Sequence, residues 1–206
     1  SIFKEVKNSM IEKNLILNEG TLVDATLIHS SEPKKRKDDN GKTISNKAND
    51  EDASYTSKRG RKHHGYKIHI ATDTNSIIKE VITTTAKTHD STQFDELIKD
   101  ETKAVFADSG YMSQERKRTL RSKGIFNGIT ERRVRGQSKL RTKQSKNNTK
   151  FSKVRALVEL PFAFIKKLMK YTETKYLGLH KNSQHVFLIA AAYNLRRMPK
   201  LIQRYE

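Results

Sequence analysis

Residues 65–84 constrain the fold more than any other part of the sequence. GYKIHIATD and IIKEVITT are two β-prone runs with alternating apolar positions, and Thr74–Asn75–Ser76 between them is a turn signal. A period of two over both runs predicts a hairpin, so the chain must build a sheet. Thr21–Ile28 (TLVDATLI), bounded by Gly20, and the apolar run Ala104–Ala107 supply two further strands, and Gly124–Ile129 reads as a fifth. Helical spacing marks the remainder: Ile2, Phe3, Val6, Met10, Ile11 and Leu15 first, then Ser91–Lys99, Ser113–Ser122, Lys153–Tyr171 and Ser183–Arg197. Asp90 with Gln93 three residues on predicts a capping box at the start of the helix over 91–99. Phe162, Phe164, Ile165, Leu168 and Met169 are expected in the core. The expected fold class is α/β, a mixed five-stranded sheet flanked by helices.

Two tracts interrupt this pattern. Sixteen of the 33 residues from Ser30 to Lys62 are charged and only four are apolar, which buries too little surface to offset ordering, so a mobile charged loop is expected over 30–62. Glu131–Lys150 is a basic insertion with eight Lys and Arg and one acid. Of the formal net charge of +19, a net +13 lies between Tyr111 and Arg155, fifteen Lys and Arg against two acids. Such a stripe is the electrostatic footprint of a phosphate-backbone partner. Its expected DNA contacts are Arg132, Arg133, Arg135, Lys139, Arg141 and Lys143. PKKRK at 33–37 shares its tract with Asp38, Asp39, Asp50, Glu51 and Asp52 and reads as solvated charge. The absence of Cys excludes a disulfide framework, a thiol nucleophile and a Cys-ligated zinc site. No apolar run approaches the roughly 20 residues of a membrane span, and the first residues lack a signal-peptide core, so a soluble protein is expected.

In a chain this basic, the carboxylates inside apolar segments are the informative ones. Asp24 lies in the middle of TLVDATLI, on the opposite face from Val23 and with Leu22 and Thr26. A carboxylate buried there costs several kcal/mol unless it is paired or binds a cation. Asp108 ends the AVFA strand, where α/β sheets present their ligands. Glu159 follows Val154, Leu157 and Val158 and is expected close to the apolar face of its helix. Each has an ordinary structural explanation: an ion pair for Asp24, a cap or turn for Asp108, and an Arg155 pair for Glu159. Together, two Asp on neighbouring strand ends and a Glu on a later helix suit Mg²⁺ or Mn²⁺, which prefer carboxylate oxygen. Two such ions activate the attacking oxygen and stabilise the leaving oxygen of a phosphodiester.

At these residues the sequence resembles the DDE transposases of bacterial insertion sequences, of the group numbered five. VDAT around Asp24, ADSGY around Asp108 and RALVELPFAFIK around Glu159 look like that family's three blocks. Asp108-Ser109-Gly110-Tyr111 matches D-x-G-[YF], and Arg155, Glu159 and Lys166 match R-x3-E-x6-K. GYKIH at 65–69, TTAKTHDS at 84–91 and GLHKN at 178–182 extend the likeness over nearly the whole chain. The resemblance implies a ribonuclease-H-like catalytic domain over 21–206, with 1–20 as the end of an upstream helical region, so a truncated chain is expected. It implies that Asp24, Asp108 and Glu159 bind two divalent ions, hydrolyse the element ends, and direct the freed 3′-OH into target DNA. Arg155 and Lys166 would contact phosphates near the cut. The resemblance departs at Ser152, where the family usually has Tyr, and at Pro161, which is expected to kink or start the helix that presents Glu159.

Lys67 and His69 share a strand face with Gly65, from which they could reach DNA or the metal shell, although a structural role suits His69 better. Tyr111 and His89 are the remaining accessory candidates. DNA is the expected partner, as element ends and target, and holding two ends together calls for a homodimer. The expected location is the bacterial cytoplasm, in association with the nucleoid. Two other readings share the acids or the charge: a ribonuclease-H-fold nuclease without strand transfer, and an inactive DNA-binding remnant.

Overall fold

The computed structural model describes residues 1–37, 40, 42–45, 49–58, 60–98, 102–133 and 135–205; Asp38, Asp39 and Lys99, named above, lie outside the described residues. The elements before the first acid-bearing turn are α1 (Ile2–Glu12), β1 (Thr21–His29), β2 (Lys35–Lys37), β3 (Thr43–Ser45), β4 (Ser54–Lys58), β5 (Arg61–Thr72) and β6 (Ile78–Thr85). A 3₁₀ turn at Asp90–Gln93 runs into α2 (Phe94–Leu97), followed by β7 (Ala104–Ala107), a 3₁₀ turn at Ser109–Tyr111, α3 (Gln114–Ser122) and β8 (Phe126–Asn127). The chain continues through α4 (Thr142–Arg155), a 3₁₀ turn at Ala156–Val158, α5 (Glu159–Ala163), a π-helical turn at Phe164–Leu168 and α6 (Leu179–Tyr205).

The central strand is β1, antiparallel to β5 on one edge and parallel to β7 on the other. β6 pairs antiparallel with β5, and β8 pairs parallel with β7. The order β6-β5-β1-β7-β8 contains the five strands expected from the sequence, in a mixed sheet with helices on both faces. Side chains alternate as a pleated strand requires. Leu22, Ile28, Ile68 and Ile70 face one layer, with Met10 of α1, Phe162 of α5 and Ile189 of α6. Val23, Ala71, Val105 and Ala107 face the other, with Leu97 of α2 and Leu120 of α3. Asp73 closes the β5–β6 turn, its carboxylate accepting the N–H groups of Leu17 and Ile77.

Several expectations need correction. The charged tract 30–62 is not simply a loop: β2 and β3 pair as a small ribbon, and β4 joins the main sheet as a sixth strand by pairing with the start of β5. Backbone ladders need no apolar side chains, which is why composition concealed these strands. The fifth strand is only Phe126–Asn127, although Gly128 and Thr130 still donate to Val105 and Ala107 carbonyls. The basic insertion is helical from Thr142, so α4 starts eleven residues before the expected helix. The helix over 91–99 is a 3₁₀ turn and one α turn, and its cap is His89, whose ring accepts from the Ser91 N–H, rather than Asp90. Leu168 and Met169 are exposed while Phe162 and Ile165 are buried, because the backbone widens to π geometry at Phe164 and loses the helical phase.

Gly65 lies within β5, opposite Ser54 of β4. It pairs with His29 at the end of β1 and has φ +146°, and a Cβ on it would stand 2.1 Å from the Ile28 carbonyl oxygen. The folded arm is tied down by Asp50, which is buried and accepts the Tyr66 hydroxyl at 2.6 Å and the Gly178 N–H at 3.1 Å. Asp52 accepts the Leu179 N–H at 2.8 Å, so two acids from the charged tract satisfy N–H groups at the start of α6. Gly65→Ala should therefore destabilise the fold by more than about 2 kcal/mol. Gly60→Ala, also at positive φ but in open space, should cost only about 1 kcal/mol. Denaturant unfolding of the two variants measures the contrast.

Candidate active site

Parallel pairing places the first two acids. The β1–β7 register ends with Val23 opposite Ala107, so Asp24 and Asp108 are the next residues on adjacent parallel strands. Asp108 is exposed and starts the 3₁₀ turn Ser109–Tyr111. Asp24 points toward the layer of α5 and α6, with Leu22 and Ile28, as the alternation predicts.

The third acid arrives from the far end of α4. Phe151 packs edge-on against Phe106 of β7 and Phe126 of β8, fixing α4 against the β7–β8 edge. Glu131 holds the start of α4 from the opposite end: its backbone exchanges hydrogen bonds with Asn148 and its carboxylate accepts from Gln144. The helix then tightens to 3₁₀ at Ala156–Val158, buries Val158, and restarts as α5 at Glu159. Pro161 thus falls in the first turn of a new helix, where no intrahelical N–H is required. The expected break is there. Glu159 itself is exposed rather than on the apolar face.

The 3₁₀ turn also redirects Arg155. Its guanidinium Nη1 lies 3.3 Å from Asp24 Oδ2 and not on Glu159, and the two side chains are mostly buried, 26% and 21% exposed. Asp24 Oδ1 accepts the Ala25 N–H at 2.8 Å. Burial nevertheless pushes the Asp24 carboxyl up to about 6; the Ala25 N–H and Arg155 oppose this, while Glu159 and Asp108 reinforce it as like charges. Asp24 is therefore within electrostatic reach of both other acids.

Other candidates divide into those at the site and those elsewhere. Tyr111 is buried with its hydroxyl unbonded, its phenol pushed up by burial and then by Asp90, Asp24 and Asp108. Lys166 is half-buried in the π-helical turn; burial and the Lys58 charge lower its ammonium, and Glu159 opposes them. Arg132 donates to the Ser109 carbonyl at 2.7 Å, one residue past Asp108. Arg133, Arg135, Lys139, Arg141 and Lys143 are exposed along 133–143. Lys67 and His69 point to the opposite sheet face from Asp24. Lys67 pairs with Asp90 at 2.8 Å and the Thr88 carbonyl at 2.7 Å. His69 is fully buried on Thr84 Oγ1 at 2.8 Å, and burial lowers its ring to about 4. His69 is thus structural, and His89 serves as a cap. The charge felt by Lys166 from Lys58 of β4 has no counterpart in the sequence pattern, since β4 itself was not expected.

Asp24, with Asp108 and Glu159 in its electrostatic surroundings, offers hard-oxygen donors of the kind a divalent cation neutralises. Among the described residues, however, no group of three or more such side chains is drawn together closely enough to hold an ion as it stands. Arg155 supplies the positive charge at Asp24 instead. No helix among them is long and apolar enough to cross a membrane.

The family model described as a transposase DDE domain matches residues 17–195, from just before β1 into α6. No solved structure matches the chain.

The Asp24 shift carries a prediction about stability. A carboxyl raised above its unfolded value stabilises the fold only while protonated, so that contribution is complete below about pH 4 and lost as pH rises through about 6. Asp24→Asn should therefore raise stability at pH 7, by at most about 3 kcal/mol, and the gain should vanish near pH 4. Thermal unfolding across that range measures it.

Proposed function

The chain belongs to the transposase DDE-domain family, and from that premise we propose that it cleaves DNA at element ends and joins the freed 3′-OH to target DNA. The observation that supports this reading is that mostly buried Asp24 feels the charges of both Asp108 and Glu159, with an exposed cationic tract nearby in the chain. Asp24, Asp108 and Glu159 would hold the divalent cations, Mg²⁺ or Mn²⁺, that such family members use. When bound, these ions supply activation of the attacking oxygen and charge stabilisation of the leaving oxygen.

The protein's own side chains do the rest. Arg132, Arg133, Arg135, Lys139, Arg141 and Lys143 take the DNA backbone through phosphate contacts that set its position without reading sequence. Arg155 keeps Asp24 ionised and oriented through the 3.3 Å contact, and Lys166 offers a cation next to Glu159. Tyr111 brings a buried hydroxyl up to the acids. Two copies would hold two element ends in one complex. The family match favours neither the nuclease without strand transfer nor the inactive remnant.

The test supplies end-bearing DNA and a target plasmid with Mg²⁺ or Mn²⁺. Joined products are expected from the wild type. Asp108→Ala and Glu159→Gln should lose cleavage and joining by at least about 100-fold while still binding DNA. Nicked products without joined ones would reject strand transfer, and a wild type as inert as Asp108→Ala would reject the enzymatic reading.

A further inference from the structure

The β8 edge of the sheet carries a groove that the three acids do not account for. β8 is the last strand on this side, and α3 and α4 flank it, so the edge opens between two helices. The cavity there has a volume of about 790 Å³, within the range of roughly 300–1,000 Å³ that takes a small ligand. Its floor is aromatic. Phe126 of β8 is 53% exposed, although Phe151 stands edge-on to its ring at 5.7 Å and Phe106 lies at 6.2 Å. A ring braced by two others and still open to solvent is a platform on which a base can stack.

The rims of the groove are cationic. Lys117 and Arg121 of α3 line one side, and Arg141 and Lys143 at the start of α4 line the other, with Glu131 as the single acid. Glu131 is already engaged, by Lys117 at 3.7 Å and by Gln144. Arg121, Arg141 and Lys143 pair with no acid among the described residues. The amides of Asn127 and Asn148 are taken by the Ile129 N–H and the Glu131 backbone. Asn147 lines the groove with no side-chain hydrogen bond among the described residues.

The groove adjoins the end of β7. Thr130 donates its N–H to the Ala107 carbonyl at 3.1 Å, one residue before Asp108, and Ile129 and Glu131 on either side of Thr130 line the cavity. Unpaired cations on both rims disfavour an apolar protein surface, and a two-residue β8 is too short to pair an added strand. A stacked duplex turns its base faces inward and could meet only the rims. An unpaired strand offers a base face to Phe126 and phosphates to the cations at once.

From this geometry we infer that the groove between α3, β8 and α4 holds a single-stranded DNA segment beside the end of β7, with one base stacked on Phe126 and its phosphates on Arg121, Arg141 and Lys143. The choice of DNA as the ligand rests on the reading of this chain as a DNA-cleaving enzyme.

Salt-titrated binding of a labelled oligothymidine and of an end-bearing duplex tests it, using the wild type, Phe126→Leu, Phe126→Tyr, Arg121→Gln and Leu188→Ala, a control at an exposed position of α6. Phe126→Leu should bind oligothymidine about five- to fiftyfold more weakly while its duplex affinity stays within about twofold of the wild type. Phe126→Tyr should keep the wild-type affinity for both. Arg121→Gln should make the log–log salt dependence on oligothymidine shallower by about 0.7, the loss of one single-strand phosphate contact, and Leu188→Ala should change nothing. If Phe126→Leu keeps the wild-type affinity for oligothymidine, or if the wild type cleaves end-bearing DNA without binding oligothymidine, the groove inference alone is overturned. Equal losses on single strand and duplex, together with a lowered thermal midpoint, also overturn it by making Phe126 structural. Phe126-dependent binding of oligothymidine by a wild type that does not cleave supports the groove and rejects the DNA-cleaving reading.

Discussion

The two-sided pairing of β1 is the constraint on which the site depends. An antiparallel partner on one edge can be reached through a hairpin, but a parallel partner on the other requires a crossover. Here β5, β6 and α2 lie between β1 and β7 in the chain and supply that crossover. Parallel pairing then makes the two strands point the same way, so Asp24 and Asp108 leave the ladder side by side at Val23 and Ala107. The pleat sends Asp24 into the layer of α5 and α6 and Val23 into that of α2 and α3. A third acid can therefore reach Asp24 only from the α5 side, and Glu159 is the residue that the α4–α5 junction places there.

The five core strands were legible in the sequence because period-two alternation and apolar runs are imposed by burial on one or both faces. Asp24 and Asp108 were legible for the same reason, as charges interrupting such patterns. The arm was not. β4 is held by its backbone ladder to β5 and by Asp50 on Tyr66, and neither leaves a hydrophobic period. Nor was α4: Thr142–Arg155 buries no residue completely and is fixed by one aromatic, Phe151, and by the Glu131–Asn148 clasp. Lys67 and His69 share a strand face, as alternation says, but only the register with β1 shows that it is the face turned away from Asp24. Strand pairing across the sheet is long-range information, and a single sequence carries little of it.

Charge distribution follows from the same geometry. Asp24, mostly buried and facing the like charges of Glu159 and Asp108, opposes folding when ionised, because a desolvated carboxylate near other acids is costly. Surrounding it with cations reduces that cost without filling the site. Arg155 touches Asp24 directly, while Lys166, which feels Glu159, and Arg132, bonded to the Ser109 carbonyl, stand at the margins. The positive charge of this chain is therefore useful to the folded state as well as to a polyanionic substrate.

The short 3₁₀ turn between α4 and α5 decides how those charges are used. In an uninterrupted α-helix, Arg155 and Glu159 would be i, i+4 neighbours and free to neutralise each other on the helix surface. Tightening at Ala156–Val158 changes the angular step, buries Val158 against the core, and separates the two side chains. Arg155 is delivered to Asp24 and Glu159 is left exposed with no ion-pair partner among the described residues. Restarting the helix at Glu159 also makes Pro161 harmless, since its missing N–H falls where none is needed. A local irregularity thus keeps one carboxylate available that regular helix geometry would have neutralised, and it does so at the junction where the third acid joins the other two.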